Sequence, residues 1–86
     1  MNDKASAAFW ARFAALPRDI QELAREKHHL WVNDPFHGSL QFKEVFKGLW
    51  SVRISSQYRA LARRKGDVVL WIWIGTHGEY DRLIKG

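Results

Sequence analysis

Leu49-Trp50-Ser51-Val52-Arg53-Ile54-Ser55-Ser56-Gln57-Tyr58-Arg59-Ala60-Leu61-Ala62-Arg63, residues 49–63, decides the fold of this chain. Trp50, Val52 and Ile54 alternate with Ser51 and Arg53, and Tyr58, Ala60 and Ala62 alternate with Arg59, Leu61 and Arg63. A period of two is that of a half-buried strand. If Ser55, Ser56 and Gln57 form a three-residue loop, Ile54 faces Tyr58 and Val52 faces Ala60, apolar on apolar as the pleat requires. The same register sets Arg53 directly opposite Arg59. Like charges directly opposite in a sheet are destabilising, so a fold that keeps this pair is expected to present both guanidiniums to a shared anion.

Downstream, Val68 to Gly75 is largely apolar on both faces, as in a strand covered twice. Lys65-Gly66-Asp67 supplies the turn before it. Trp71 and Trp73 share one side of that strand and face either the core or the polar surface, depending on the length of the turn. Upstream, Leu40, Phe42 and Phe46 alternate with Gln41, Lys43, Val45 and Lys47, and Gly48 supplies a turn. Lys43 and Lys47 then join Arg53, Arg59 and Arg63 on the polar face, while Glu44 points away from it. Cations interleaved with aromatics suit single-stranded nucleic acid, since charges track phosphates and rings stack bases.

The N-terminal half has the helical period. Asn2 or Asp3 is placed to cap a first helix, along which Phe9, Phe13 and Leu16 form an apolar stripe flanked by Trp10 and Ala14. Pro17 ends it and opens a second helix, with Ile20, Leu23, Ala24, Lys27, Leu30 and Trp31 at helical spacing. Asn33-Asp34-Pro35 stops that helix. The expected fold class is therefore α+β: an αα-hairpin packed on a four-stranded antiparallel meander, in one domain spanning residues 1–86.

Charge and composition narrow the function. The net charge is +5, yet residues 1–39 carry five Lys/Arg and five Asp/Glu, while residues 40–86 carry nine and four. A basic bias confined to the sheet-forming half points to an anionic partner. The chain has no Cys, which excludes disulfide scaffolds, thiolate zinc sites and cysteine nucleophiles and fits a cytoplasmic location. No signal peptide or apolar run of membrane-spanning length is evident. His28 and His29 are neighbours on a helix and point in different directions. With no HExxH motif, no metal is expected; no phosphate-cradling glycine loop or dinucleotide fingerprint occurs, so no cofactor is expected either.

The order of Leu16-Pro17-x-x-Ile20, Asn33-Asp34-Pro35, Leu40-x-Phe42-Lys43, Leu49-Trp50-Ser51-Val52-Arg53-Ile54, Tyr58-Arg59-Ala60-Leu61, Gly66-Asp67 and Trp71-x-Trp73-Ile74-Gly75-x-His77-x-x-Tyr80-Asp81 resembles the RelE/ParE superfamily of toxins from bacterial type II toxin–antitoxin pairs. The resemblance implies a cognate antitoxin as partner. For the RelE and YoeB-like branch it implies ribosome-dependent cleavage of mRNA without a metal, by attack of an RNA 2′-OH on the adjacent phosphate. On that likeness Arg59, His77, Tyr80 and Lys43 are the candidate catalytic residues, and Lys47, Arg53, Arg63, Trp71 and Trp73 the candidate RNA contacts. Superfamily members usually begin with a strand, and this chain is expected to lack it. The alternatives are a ParE-like toxin that binds gyrase without chemistry, or an inactive module that retains only antitoxin binding.

Overall fold

The computed structural model describes residues 1–85. It contains β1 (Asn2–Ala5), α1 (Ala7–Ala14), α2 (Arg18–Asn33), a short 3-10 turn (Gly38–Leu40), β2 (Lys43–Phe46), β3 (Leu49–Arg53), β4 (Tyr58–Lys65), β5 (Val68–Thr76) and α3 (His77–Lys85). The strands form one mixed sheet in the order β1-β5-β4-β3-β2. The α+β class and the β2–β5 meander are as expected, with two corrections: a fifth strand, β1, and a third helix, α3.

β1 is the strand the chain was expected to lack. It runs parallel to β5, pairing Asn2 with Val68 and Ala5 with Trp71. Its polar sequence shows no alternation, because what holds it is backbone pairing at a sheet edge and one carboxylate. Asp3 Oδ2 accepts from Trp71 Nε1 at 2.9 Å and from His28 Nε2 at 2.6 Å, which ties the edge strand to both core and α2. Asn2 and Asp3 are thus strand residues, and Ser6 caps α1 by accepting from the Phe9 N–H at 3.1 Å. Pro17 opens α2 as expected, and the Gln21 amide donates to the carbonyls of Ala14 and Leu16 left free at the end of α1.

The core lies between the helical hairpin and one sheet face. Its centre is Trp31, which is 1% exposed and meets Trp71 and Phe42 edge-on at 5.1 and 5.7 Å between ring centroids. Ala62 makes room for it: across the sheet Ala62 pairs with Trp50 on one side and Trp71 on the other, so a small residue separates two indoles. Such edge-to-face pairs add about 0.5–1.5 kcal/mol each beyond area burial. Trp71, expected to face either the core or the polar surface, is therefore a core residue. Among the described residues, no helix is long and apolar enough to cross a membrane.

The β3–β4 hairpin has the expected register, with Val52 opposite Ala60 and Arg53 opposite Arg59. The β4–β5 turn is the two-residue Gly66-Asp67, with Gly66 at φ 60°, the positive value a tight hairpin requires.

Substituting Asp3→Ala leaves the Trp71 indole N–H without its acceptor. A buried donor so orphaned costs about 1–3 kcal/mol, and a domain of this size loses about 4–8 °C of melting temperature per kcal/mol. Thermal denaturation should show that drop for Asp3→Ala and a smaller one for Asp3→Asn, which keeps an acceptor. An unchanged melting temperature would show that β1 is not anchored through this carboxylate.

Candidate functional site

The sheet face away from the hairpin is laid out in three rows. The first holds Arg53, Arg59 and Gly75; the second Lys43, Ser51, Leu61 and Trp73; the third Phe46, Leu49, Arg63 and Leu70. Directly opposed residues of an antiparallel pair share a face, so Lys43, Arg53, Arg59, Arg63 and Trp73 are brought together here. Two bulges keep the rows in step. In β2 the pairing shifts between Glu44 and Phe46, and in β5 Trp71 and Trp73 pair with the adjacent Ala62 and Leu61, leaving Ile72 as the extra residue. The β5 bulge separates the two indoles: Trp71 enters the core and Trp73 stays on the second face, where the Arg12 guanidinium lies 5.0 Å from its ring. The β2 bulge moves Phe46, expected in the core by simple alternation, onto this face with 55% exposure.

Arg59 lies on the polar face as expected, but it is buried there rather than open to solvent. It is 6% exposed. Its Nε donates to Ser51 Oγ at 2.9 Å, its Nη1 reaches Gln41 Oε1 at 3.4 Å, and its guanidinium lies under the Tyr80 ring at 5.0 Å. Nη2 is buried with no protein partner. Burial pushes the Arg59 pKa below its ordinary value and the opposing Arg53 adds to this, while Tyr80 and Asp81 act the other way. An arginine stays protonated through shifts of this kind, so Nη2 is a charged donor held in place without an acceptor. Gln41 and Ser51 were missed from the sequence. Gln41 adopts the left-handed conformation at φ 47°, uncommon for a residue with a side chain, and from there its amide reaches Arg59. The available signal was Ser51: the one small polar residue between Trp50 and Val52, in line to meet a β4 side chain.

α3 lies over this face. Thr76 Oγ1 accepts from the Glu79 N–H at 3.1 Å, and Glu79 Oε1 accepts from the Thr76 N–H at 3.0 Å, a reciprocal capping box. The Thr-x-x-Glu spacing signals this helix in the sequence. Gly75 is required beneath it: a Cβ there would sit 2.6 Å from the Trp73 ring and 2.9 Å from both Arg12 and Glu79. Arg12 Nη2 bonds Glu79 Oε2 at 3.0 Å while its Nε donates to the Ile74 carbonyl at 2.9 Å, beyond the reach of β1. The helix starts where the His77 N–H donates to the Gln57 carbonyl at 2.7 Å. The His77 ring lies 5.8 Å from that of Tyr80, and its Nε2 lies 3.4 Å from Asp81 Oδ2 with about half the side chain exposed. His77, Tyr80 and Arg59 thus form a continuous line from solvent to the buried guanidinium. Tyr80 is 7% exposed, and its ring covers Arg59. Lys47 lies in the exposed β2–β3 turn rather than on the strand.

Residues 18–82 match the family model of the ParE-like toxin domain. The chain belongs to that family. Solved structures with the same fold include a YoeB/ParE toxin from Agrobacterium tumefaciens (20% identity over 90% of this chain and 99% of that one, TM-score 0.66). YafQ from E. coli is similar at 10% identity over 92% and 96%, with a TM-score of 0.71. The toxin–antitoxin complex RelBE2 from Mycobacterium tuberculosis is similar at 17% identity over 88% and 96%, with a TM-score of 0.70. At these identities the likeness establishes the fold. No curated protein sequence matches. As a ParE-like domain the chain is a toxin of a type II toxin–antitoxin family.

The Thr76 hydrogen bonds and Arg12 hold the Glu79 carboxyl below the usual carboxylate range. A group whose folded pKa is depressed stabilises the fold above its unfolded pKa and loses that contribution as pH falls through the folded one. An NMR titration should therefore show Glu79 protonating below an ordinary glutamate, with the Thr76 and Glu79 amide shifts moving in step. Glu79→Gln should melt lower than the parent at neutral pH and converge with it in acid. A Glu79 midpoint at the ordinary value, or equal melting temperatures at neutral pH, would contradict the capping role.

Proposed function

We propose that this toxin is a cytoplasmic, ribosome-dependent mRNA endonuclease that needs no metal. The observation that carries the reading is the Arg59 guanidinium: charged, buried, held by Ser51 and Tyr80, with Nη2 lacking an acceptor. A preorganised donor of this kind stabilises charge that develops in a transition state, because it need not reorganise when the charge appears. In the proposed reaction the RNA 2′-hydroxyl gives its proton to solvent water as its oxygen attacks the adjacent phosphorus, the bond to the 5′-oxygen breaks, and the products are a 2′,3′-cyclic phosphate and a 5′-hydroxyl. Arg59, with Arg53 opposite and Lys43 in the next row, meets the extra negative charge on the phosphorane. His77, half-exposed at the mouth and oriented by Asp81, gives its proton to the departing 5′-oxygen. Tyr80 holds Arg59 in position. Glu44 is engaged elsewhere, accepting from the Gly48 N–H at 2.9 Å, and is not available as the base.

A second reading, a non-catalytic toxin that binds gyrase, is favoured by the same burial: Tyr80 shields Arg59, and a pure binder needs no reachable guanidinium. Brief expression without the antitoxin separates the two readings. The endonuclease reading predicts that pulse-labelled protein synthesis falls before DNA synthesis, with in-frame breaks in cellular mRNA by primer extension; the reverse order without breaks would support gyrase. Arg59→Met fills the space without the charge. Replacing a buried ion by an apolar side chain of similar volume is often neutral or stabilising, so this variant should keep its melting temperature and lose cleavage by about 10²–10³-fold. A fully active Arg59→Met protein would end the assignment.

The antitoxin partner is proposed to bring an acidic, amphipathic segment. α1, α2 and the sheet enclose an open cleft of about 530 Å³, lined by Phe9, Phe13 and Ile54 and rimmed by Lys4, Arg25 and Lys27. Charges at such a rim steer encounter and are screened by salt. Isothermal titration against the protein encoded beside this gene should show affinity falling from low to high salt. Salt-independent affinity would contradict a charge-steered contact.

A further inference from the structure

Phe46 is the aromatic side chain that the β2 bulge delivers to the basic face, where more than half of it is exposed. Bulges commonly re-aim a side chain next to a functional site. Phe46 lies opposite Leu49, which lies opposite Arg63, and it is flanked along the chain by Lys43 and Lys47. Lys43, Lys47 and Arg63 are all exposed. The ring is 55% exposed and makes none of the close ring–ring or cation–ring contacts that bury Phe42 and Trp50. Lone exposed aromatics are ordinary on protein surfaces. An exposed aromatic ring on a sheet face, with Lys43 on its own strand, Lys47 in the adjoining turn and Arg63 in its row, on the same face as Arg53 and Arg59, is an arrangement that stacks a base while charges hold the backbone.

We propose that Phe46 stacks on a nucleobase of the bound RNA further along the strand from the cleaved linkage, with Arg63 and Lys47 holding the phosphates around that base. The proposal rests on the endonuclease reading above and adds to it a subsite for recognition. Arg59 and Arg63 are four residues apart on one strand, about 13 Å at strand rise, so the stacked base lies beyond the reacting phosphate and not at it. Phe46 therefore contributes to substrate binding, and the Arg59 cluster to the chemical step.

The test is a double-mutant cycle on ribosomes programmed with a short mRNA. One nucleotide at a time is made abasic, and cleavage is measured with the parent toxin, Phe46→Ala and Phe46→Tyr. Phe46→Ala should lower kcat/KM by about 5- to 100-fold, the range of base–aromatic stacking, chiefly through KM. Phe46→Tyr, which keeps the ring, should restore it. At one position the abasic substitution should cost the parent this same factor and cost Phe46→Ala nothing. If every abasic penalty is equal in parent and Phe46→Ala, the stacking assignment is overturned while the endonuclease reading stands. If Phe46→Ala cleaves normally and only weakens antitoxin binding, Phe46 belongs to a protein interface and the assignment is likewise overturned. If the parent toxin cleaves no programmed mRNA, the endonuclease reading fails and takes this inference with it. The exposed ring carries little of the core, and equal melting temperatures for the three proteins would establish that the comparison is between folded molecules.

Discussion

A charged guanidinium buried on the second face of the sheet is the constraint around which that face is organised. Taking an ion out of water costs several kcal/mol unless its donors are met, and Arg59 has only two of its nitrogens met by protein, by Ser51 and Gln41. The Tyr80 ring covers the cation and Arg53 faces it across the strands. None of this lowers the energy of the isolated fold as an apolar side chain would. It makes sense as a receptor whose missing partner is an anion from outside.

The remaining architecture holds that receptor in place. α3 is fixed to the end of β5 by the Thr76–Glu79 box and by Arg12 reaching across from α1, so Tyr80 sits over Arg59 because the hairpin on one face is bonded to the helix on the other. Gly75 leaves the room in which Arg12 and Glu79 meet. The β1 edge is tied to the same core through Asp3 and Trp71. A small sheet with a core on one side and a polar site on the other thus has its two faces coupled by a few named contacts.

The part of this legible in the sequence is the part with a strict period. The Arg53–Arg59 register followed from alternation and loop length, because a one-residue slip would have put apolar side chains into water. β1 was not legible: three polar residues and an alanine at a sheet edge show no pattern, and their stability comes from Trp71 and His28, distant in sequence. Alternation also misplaced Phe46 and left Trp71 and Trp73 together, since one extra residue in β2 and one in β5 break the period and no residue in either segment announces it. The face of Arg59 was legible but its burial was not, because a lone strand cannot show that a later helix folds back to cover it. That helix had a signature, Thr76-x-x-Glu79, overlooked because the region read as a strand end.

The central claim is that Arg59 and its neighbours stabilise a phosphorane formed by an RNA 2′-oxygen. End-group analysis of mRNA fragments, made by the purified toxin on programmed ribosomes, tests it most directly. The account predicts fragments ending in a 2′,3′-cyclic phosphate and beginning with a 5′-hydroxyl, absent with Arg59→Met. Fragments carrying a 3′-hydroxyl and a 5′-phosphate, or mRNA left intact by a toxin that still arrests growth, would contradict it.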